Sequence, residues 1–202
     1  CNRKPPIRII RISVYSDNLT IFWKSAQSAF SHAGLDLLLH YDCPGDPAGC
    51  SMLMDALCHT FSDQITTYIF IDDFHLLTDK RITAFLCTLS GRLPACVHLI
   101  VASRNRFLSG GEILQLSGRL LEITAQQLRL QQPELAAYVH RCGADPNEQQ
   151  LSSLLHSSEG WFSAVYLNLC AWNQTGSLPD RHSTIYEMFA SEMLDPLPEA
   201  QQ

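Results

Sequence analysis

No run in this 202-residue chain approaches the roughly 20 consecutive apolar residues that a helix needs to cross a membrane, so no membrane partner is expected. Basic residues are also scarce: 14 Lys and Arg stand against 20 Asp and Glu, for a net charge of −6, and they crowd only into the short stretch Arg3–Arg11. A nucleic-acid surface in this chain is therefore not expected. Cysteine is present eight times, but without the dense spacing of a disulfide-framed secreted domain. Cys58, Cys87, Cys96 and Cys170 fall in apolar helical or strand contexts, which points to a reduced, cytoplasmic protein. A signal peptide is missing, the chain begins at Cys1, and it stops in "PLPEAQQ" just after a helical pattern. Both ends read as cut from a longer protein. Neither a Gly-x-Ser-x-Gly elbow nor a Cys-centred nucleophile signature occurs, which leaves no sign of acyl-transfer chemistry.

What is present describes an ordinary globular chain, 46% hydrophobic and 17% charged. Its length allows one α/β domain followed by a small helical appendage. "IRIIRISV", Ile7 to Val14, alternates like a strand. Asp17 or Asn18 then offers an N-cap to a helix whose apolar positions run from Leu19 to Phe30, with Gly34 as its stop. "DCPGDPAG", Asp42–Gly49, reads as a loop, followed by a helix from Ser51 to about Phe61. Tyr68–Ile71 is a continuous apolar run, expected for a strand covered on both faces. Thr78 or Asp79 caps the next helix, which Pro94 ends. Val97–Ala102 forms another strand, a loop at Gly110–Gly111 follows, and "RLLEI", Arg119–Ile123, reads as a short last strand. Strand and helix alternate as in a parallel α/β sheet.

After Gln131 the pattern turns helical, with Pro133 in a first turn and helices expected around Leu135–Val139, Leu151–Leu155, Trp161–Trp172 and Thr184–Leu194. The expected division is a core over residues 1–130 and a small helical bundle over 131–202.

The strand "YIFI" ends in Asp72 and Asp73. Ligands of open parallel sheets bind beyond the carboxyl ends of the strands. Two carboxylates there suit a nucleotide-hydrolysing fold, one to hold Mg²⁺ and one to orient water. The same pair is also what a strand end looks like where solvent begins. "VHLIVASRN" places Ser103 and Arg104 at the equivalent height, where a cation can face a γ-phosphate or simply pair with one of the aspartates.

"YIFIDDFHLL", "VHLIVASRN", "GRLLEITAQQLRL" and "SSEGWFSAVYLNLCAW" together resemble, in order and spacing, the ATPase domain of MalT-type, LuxR-family transcriptional regulators, members of the STAND class of signal-transduction NTPases. The resemblance covers about Ile7 to Trp172. It implies a partial P-loop NTPase-type sheet with flanking helices and a helical lid. Asp72 then corresponds to the Walker B magnesium ligand, Asp73 to the carboxylate that positions water, and Arg104 to the sensor arginine. Gly160 and Trp161 correspond to the helix start where the lid nears the nucleotide, although the proline of related proteins is absent. ATP and Mg²⁺ are the implied cofactors of the whole protein. Its implied partners are an unidentified small-molecule inducer and DNA, the latter through a C-terminal helix-turn-helix that this chain does not contain.

A phosphate loop, G-x-x-x-x-G-K-[ST], is needed to wrap the phosphates, and none occurs here. The resemblance places it just before residue 1. This chain alone is expected to bind ATP weakly and not to hydrolyse it at a useful rate. Loss of a central strand would expose sheet edges, so strand shifting or self-association through those edges is expected. The competing reading is a non-enzymatic interaction domain with a degenerate nucleotide site. His40, Cys43, Cys50, Cys58 and His59 fit no metal-ligand spacing and read as free thiols and surface histidines. His75 suits either the crevice or local packing. The aromatics Trp161, Phe162, Tyr166 and Trp172 read as a core stripe.

Overall fold

In a computed structural model, residues 6–61, 65–116 and 118–175 are described. The chain divides into two units, Cys1–Leu121 and Glu122–Gln202. The first is α/β. β1 (Ile7–Ser13), β2 (Thr66–Asp72) and β3 (Val97–Val101) form a parallel sheet in the order β1-β2-β3. Register places Ile10 opposite Ile69 and Ile69 opposite Leu99, so one face carries Ile10, Ile12, Ile69, Ile71 and Leu99.

That face joins one core with α1 (Leu19–His32), α2 (Pro47–Thr60) and α3 (Lys80–Arg92). Phe22, Phe30, Leu53, Leu57 and Ile82 are all at most 4% exposed. Burying side chains of this size contributes about 1.5–3 kcal/mol each. Asn18 is the N-cap of α1, accepting the N–H groups of Thr20 and Ile21 at 2.9 and 3.1 Å. Asp79 caps α3.

Several local expectations are corrected. Among the described residues the core helices cover β2 on one face. Tyr68 and Phe70 stay half-buried between buried Thr67, Ile69 and Ile71, because the core helices all pack on the same side. Exposed Ile7, Ile9 and Ile100 lie on the other face. α2 begins at Pro47 rather than Ser51, because Asp46 accepts the N–H groups of Ala48 and Gly49 and proline fits the first turn. The segment at Gly110–Gly111 is helical: α4 (Gly110–Gln115) is started by a capping box between Ser109 and Glu112. Arg119–Ile123 is not a strand. Arg119 instead donates to the C=O groups of Ser90 and Gly91 at the end of α3, at 3.3 and 2.9 Å, and Leu121 is left 81% exposed.

The second unit holds α5 (Gln132–Arg141), α6 (Glu148–Ser158) and α7 (Phe162–Thr175). They surround Leu135, Val139, Leu154, Val165 and Leu169, each at most 3% exposed. Of the expected aromatic core stripe, Trp161, Phe162 and Tyr166 are exposed instead, because the buried side of α7 runs through Val165 and Leu169. The helix expected at Thr184–Leu194 lies outside the described residues.

Candidate functional site

The carboxyl ends of the three strands are held together by main-chain bonds. Val14 N–H donates to Asp72 C=O at 3.1 Å, and Ala102 N–H donates to Ile71 C=O at 2.9 Å. Phe74 N–H then donates to Ala102 C=O at 3.0 Å, which folds the segment after β2 across the end of β3. Phe74 anchors the turn: it is 1% exposed and meets the Phe107 ring edge-on at 4.8 Å.

Asp72 and Asp73 sit on this frame and are both exposed. Asp72 Oδ1 accepts the N–H of Asp73 at 2.9 Å. Asp73 lies in the left-handed region, φ 54° and ψ 34°. Outside glycine that conformation is uncommon and costs about 1 kcal/mol. The carboxylate of Asp73 makes no capping bond to the 3-10 turn Phe74–Leu76 that follows. His75 Nδ1 lies 3.8 Å from Asp73 Oδ1, buried and without a hydrogen-bond partner. A polar atom left in that condition is costly unless something else engages it.

A contact that periodicity cannot reveal ties two of these loops together. Asp17 accepts both the N–H of Thr78 at 2.8 Å and its Oγ–H at 2.6 Å, across 61 positions of sequence. These two bonds hold the Asp17 carboxyl below the usual carboxylate range. Asp17 is thus a strut between loops, while the helix cap beside it is Asn18.

Arg104 follows β3 in the exposed loop where Ser103 Oγ–H donates to Asn105 C=O at 2.8 Å. Among the described residues no ion pair joins Arg104 to Asp72 or Asp73, so simple charge pairing does not explain the three residues.

Gly160 and Trp161 belong to the second unit and have local work there. Gly160 has φ +75°, and a Cβ on it would lie 2.7 Å from the C=O oxygen of Leu130. The close approach serves a main-chain bond, Leu130 N–H to Gly160 C=O at 2.8 Å. The Arg129 guanidinium lies 5.1 Å from the centroid of the Trp161 ring, and its Nη2 is 3.6 Å from Glu159.

For a magnesium ion the residues suit one end of a site. Mg²⁺ commonly takes one or two carboxylates and keeps several waters, and Asp72 presents an exposed carboxylate with one oxygen already oriented. Among the described residues no group of three or more His, Cys, Asp or Glu side chains is arranged to hold a metal by itself. The thiol of Cys43 is pushed up to about 11 by burial, and burial also raises Cys50 and Cys87. Thiols raised in this way are poor nucleophiles and ligands. No described helix is long and apolar enough to cross a membrane.

No protein-family model matches this chain. Over 111 residues, 54% of its length, the chain is 32% identical to the HTH-type transcriptional regulator MalT of Yersinia pestis (strain Pestoides F). The same identity and coverage relate it to MalT of Yersinia pseudotuberculosis serotype O:1b (strain IP 31758). The match spans 12% of the length of each of these relatives. The similarity is thus to a MalT-like regulator, over half of this chain and a small part of theirs.

Proposed function

We propose that this chain is part of the nucleotide-switch module of a cytoplasmic, MalT-like STAND transcription regulator. Asp72 and Asp73 at the end of the central strand β2 are its metal-binding and water-positioning carboxylates. The observation that carries this reading is the left-handed Asp73 beside exposed Asp72, since strained backbone at a strand end is kept where geometry is used. The partial likeness to MalT regulators supports it.

In this reading Asp72 holds Mg²⁺, which supplies charge neutralisation to the phosphates of ATP. Asp73 orients a water, His75 sets the Asp73 carboxylate through its Nδ1, and Arg104 faces the terminal phosphate. Gly160 and Trp161 set the start of the lid helix. The phosphate loop lies outside these 202 residues, as do the inducer site and a DNA-binding helix-turn-helix. The outer edge of β3, five residues without a charge, takes a further strand or a second copy of this chain.

Calorimetry of ATP–Mg²⁺ binding tests this on two proteins, the present chain and one extended upstream through a phosphate loop. Binding by the extended protein alone, losing its Mg²⁺ dependence in Asp72→Ala, is the expected result. Absence of binding in both overturns the reading and favours an interaction domain with a degenerate site.

A further inference from the structure

The β1 side of the sheet carries a different kind of surface. In a strand the N–H and C=O of successive residues point to opposite sides. Val14 donates its N–H to Asp72 on β2, which sets the phase. The even-numbered residues of β1 pair with β2, and the backbone groups of Ile9, Arg11 and Ser13 point away from the sheet. Ser13 C=O accepts the hydroxyl of Ser25 from α1 at 2.9 Å, which fits that phase and closes one end of the edge. At Ile9 and Arg11 no described strand takes the outward groups, because β1 is outermost in the order β1-β2-β3.

Beside this edge an open groove of about 750 Å³ runs between β1 and α1, with Ile9, Arg11, Lys24 and His32 among its lining residues. Its volume lies within the roughly 300–1,000 Å³ of ordinary ligand sites. Its charge has one sign. Arg11 and Lys24 are exposed, and His32 donates from Nδ1 to Ser28 C=O at 2.7 Å. Neither β1 nor α1 contains a carboxylate, although the whole chain carries −6.

An outward main-chain edge and a helical wall are parts of recognition by strand addition, and Arg11 on β1 and Lys24 on α1 add positive charge beside them. We propose that this groove binds an extended acidic segment of a partner protein, which adds to β1 as a further strand and sets its carboxylates against Arg11 and Lys24. A second copy does not match: β1 against β1 would bring the cationic groove of Arg11 and Lys24 in one chain to that of the other, like charge against like, with no carboxylate in β1 or α1 to pair them. The inference is independent of the nucleotide reading.

Fluorescence anisotropy on the full chain tests it. The probe is a short labelled peptide of alternating valine and glutamate, and its valine–lysine counterpart is the control. The glutamate peptide is expected to bind at least about ten-fold more tightly, with the preference reversed in Arg11→Glu/Lys24→Glu. Ile9→Pro removes an outward N–H that no described strand takes and is expected to weaken the peptide about ten-fold, the loss of one or two net hydrogen bonds. Should Ile9→Pro disturb folding, a glutamate peptide N-methylated at alternate residues makes the same test from the ligand side. Equal affinity for both peptides, or none for either, overturns the proposal. Glutamate-peptide binding that ignores both backbone changes, or that millimolar phosphate displaces, marks a bare anion site and overturns strand addition. A dimer seen by sedimentation and dissolved by Ile9→Pro assigns the edge to a second copy and overturns it as well.

Discussion

Replacing Asp73 separates what its backbone costs from what its carboxylate does. The residue sits at φ 54° and ψ 34°, its N–H donates to Asp72 Oδ1, and its C=O accepts the N–H of Leu76 at 3.0 Å. Its side chain is half exposed and makes no capping bond, so truncation removes no hydrogen bond from the fold. Asp73→Gly relieves left-handed strain of about 1 kcal/mol, and the greater freedom of glycine in the unfolded chain takes back about 0.5–1 kcal/mol. The variant is therefore near neutral. Asp73→Ala keeps the strain and loses the tolerance of aspartate for that region, so it falls about 1 kcal/mol below the glycine variant. Urea denaturation followed by circular dichroism reads the difference, and a thermal scan shows it as roughly 3–5 °C for a unit of this size. Both variants lose the carboxylate, so the proposed nucleotide reading expects both to lose ATP turnover in a protein that includes the phosphate loop. An alanine variant as stable as the glycine variant would refute the strain argument, whatever happens to turnover.

Gly160→Ala brings a Cβ to 2.7 Å from the Leu130 C=O oxygen at a positive φ, so the second unit loses about 2 kcal/mol or more, read by urea unfolding monitored at Trp161. The Asp17 carboxyl is depressed by its bonds from Thr78, so its stabilisation is present above the unfolded value of about 3.9 and is lost as pH falls through the folded value. The stability gap between the native chain and Thr78→Val should close on acidification; a gap that persists at pH 2 shows that the strut does not work through the ionised carboxylate. The β3 edge should pair copies of the chain, giving concentration-dependent sedimentation that Ile100→Lys suppresses. A strictly monomeric chain at high concentration removes that expectation.

Features encoded within a few residues were legible in the sequence. Alternation in Ile7–Ser13, a cap at Asp17 or Asn18, the helical spacing of Phe22, Ala26 and Phe30, and the carboxylates closing β2 each depend on near neighbours. The short helix at Gly110 was equally local, announced by Ser109 and Glu112 at capping-box spacing, but its two glycines read as a loop. Arg119–Ile123 failed for another reason: an apolar run becomes a strand only if an edge receives it, and Arg119 instead found the carbonyls ending α3. One-sided cover of β2 was hidden because a run of Tyr, Ile, Phe and Ile looks the same whether the second face is packed or open.

The candidate site divides along the same line. The place of Asp72, Asp73 and Arg104 at or just after strand ends was visible in the sequence, whereas the strut from Asp17 to Thr78 joins positions 61 residues apart and leaves no periodic trace. The handedness of Asp73 was also invisible, since aspartate is ordinary in turns of either sense. These unread features bear directly on the chemistry. A carboxylate at a strand end is common; here the left-handed turn at Asp73 sets the direction of its Cα–Cβ bond, beside a buried histidine nitrogen 3.8 Å away. In the proposed nucleotide reading, that left-handed backbone is the feature that sets Asp73 apart from a solvated strand end, and the Asp73→Gly and Asp73→Ala pair measures what keeping it costs.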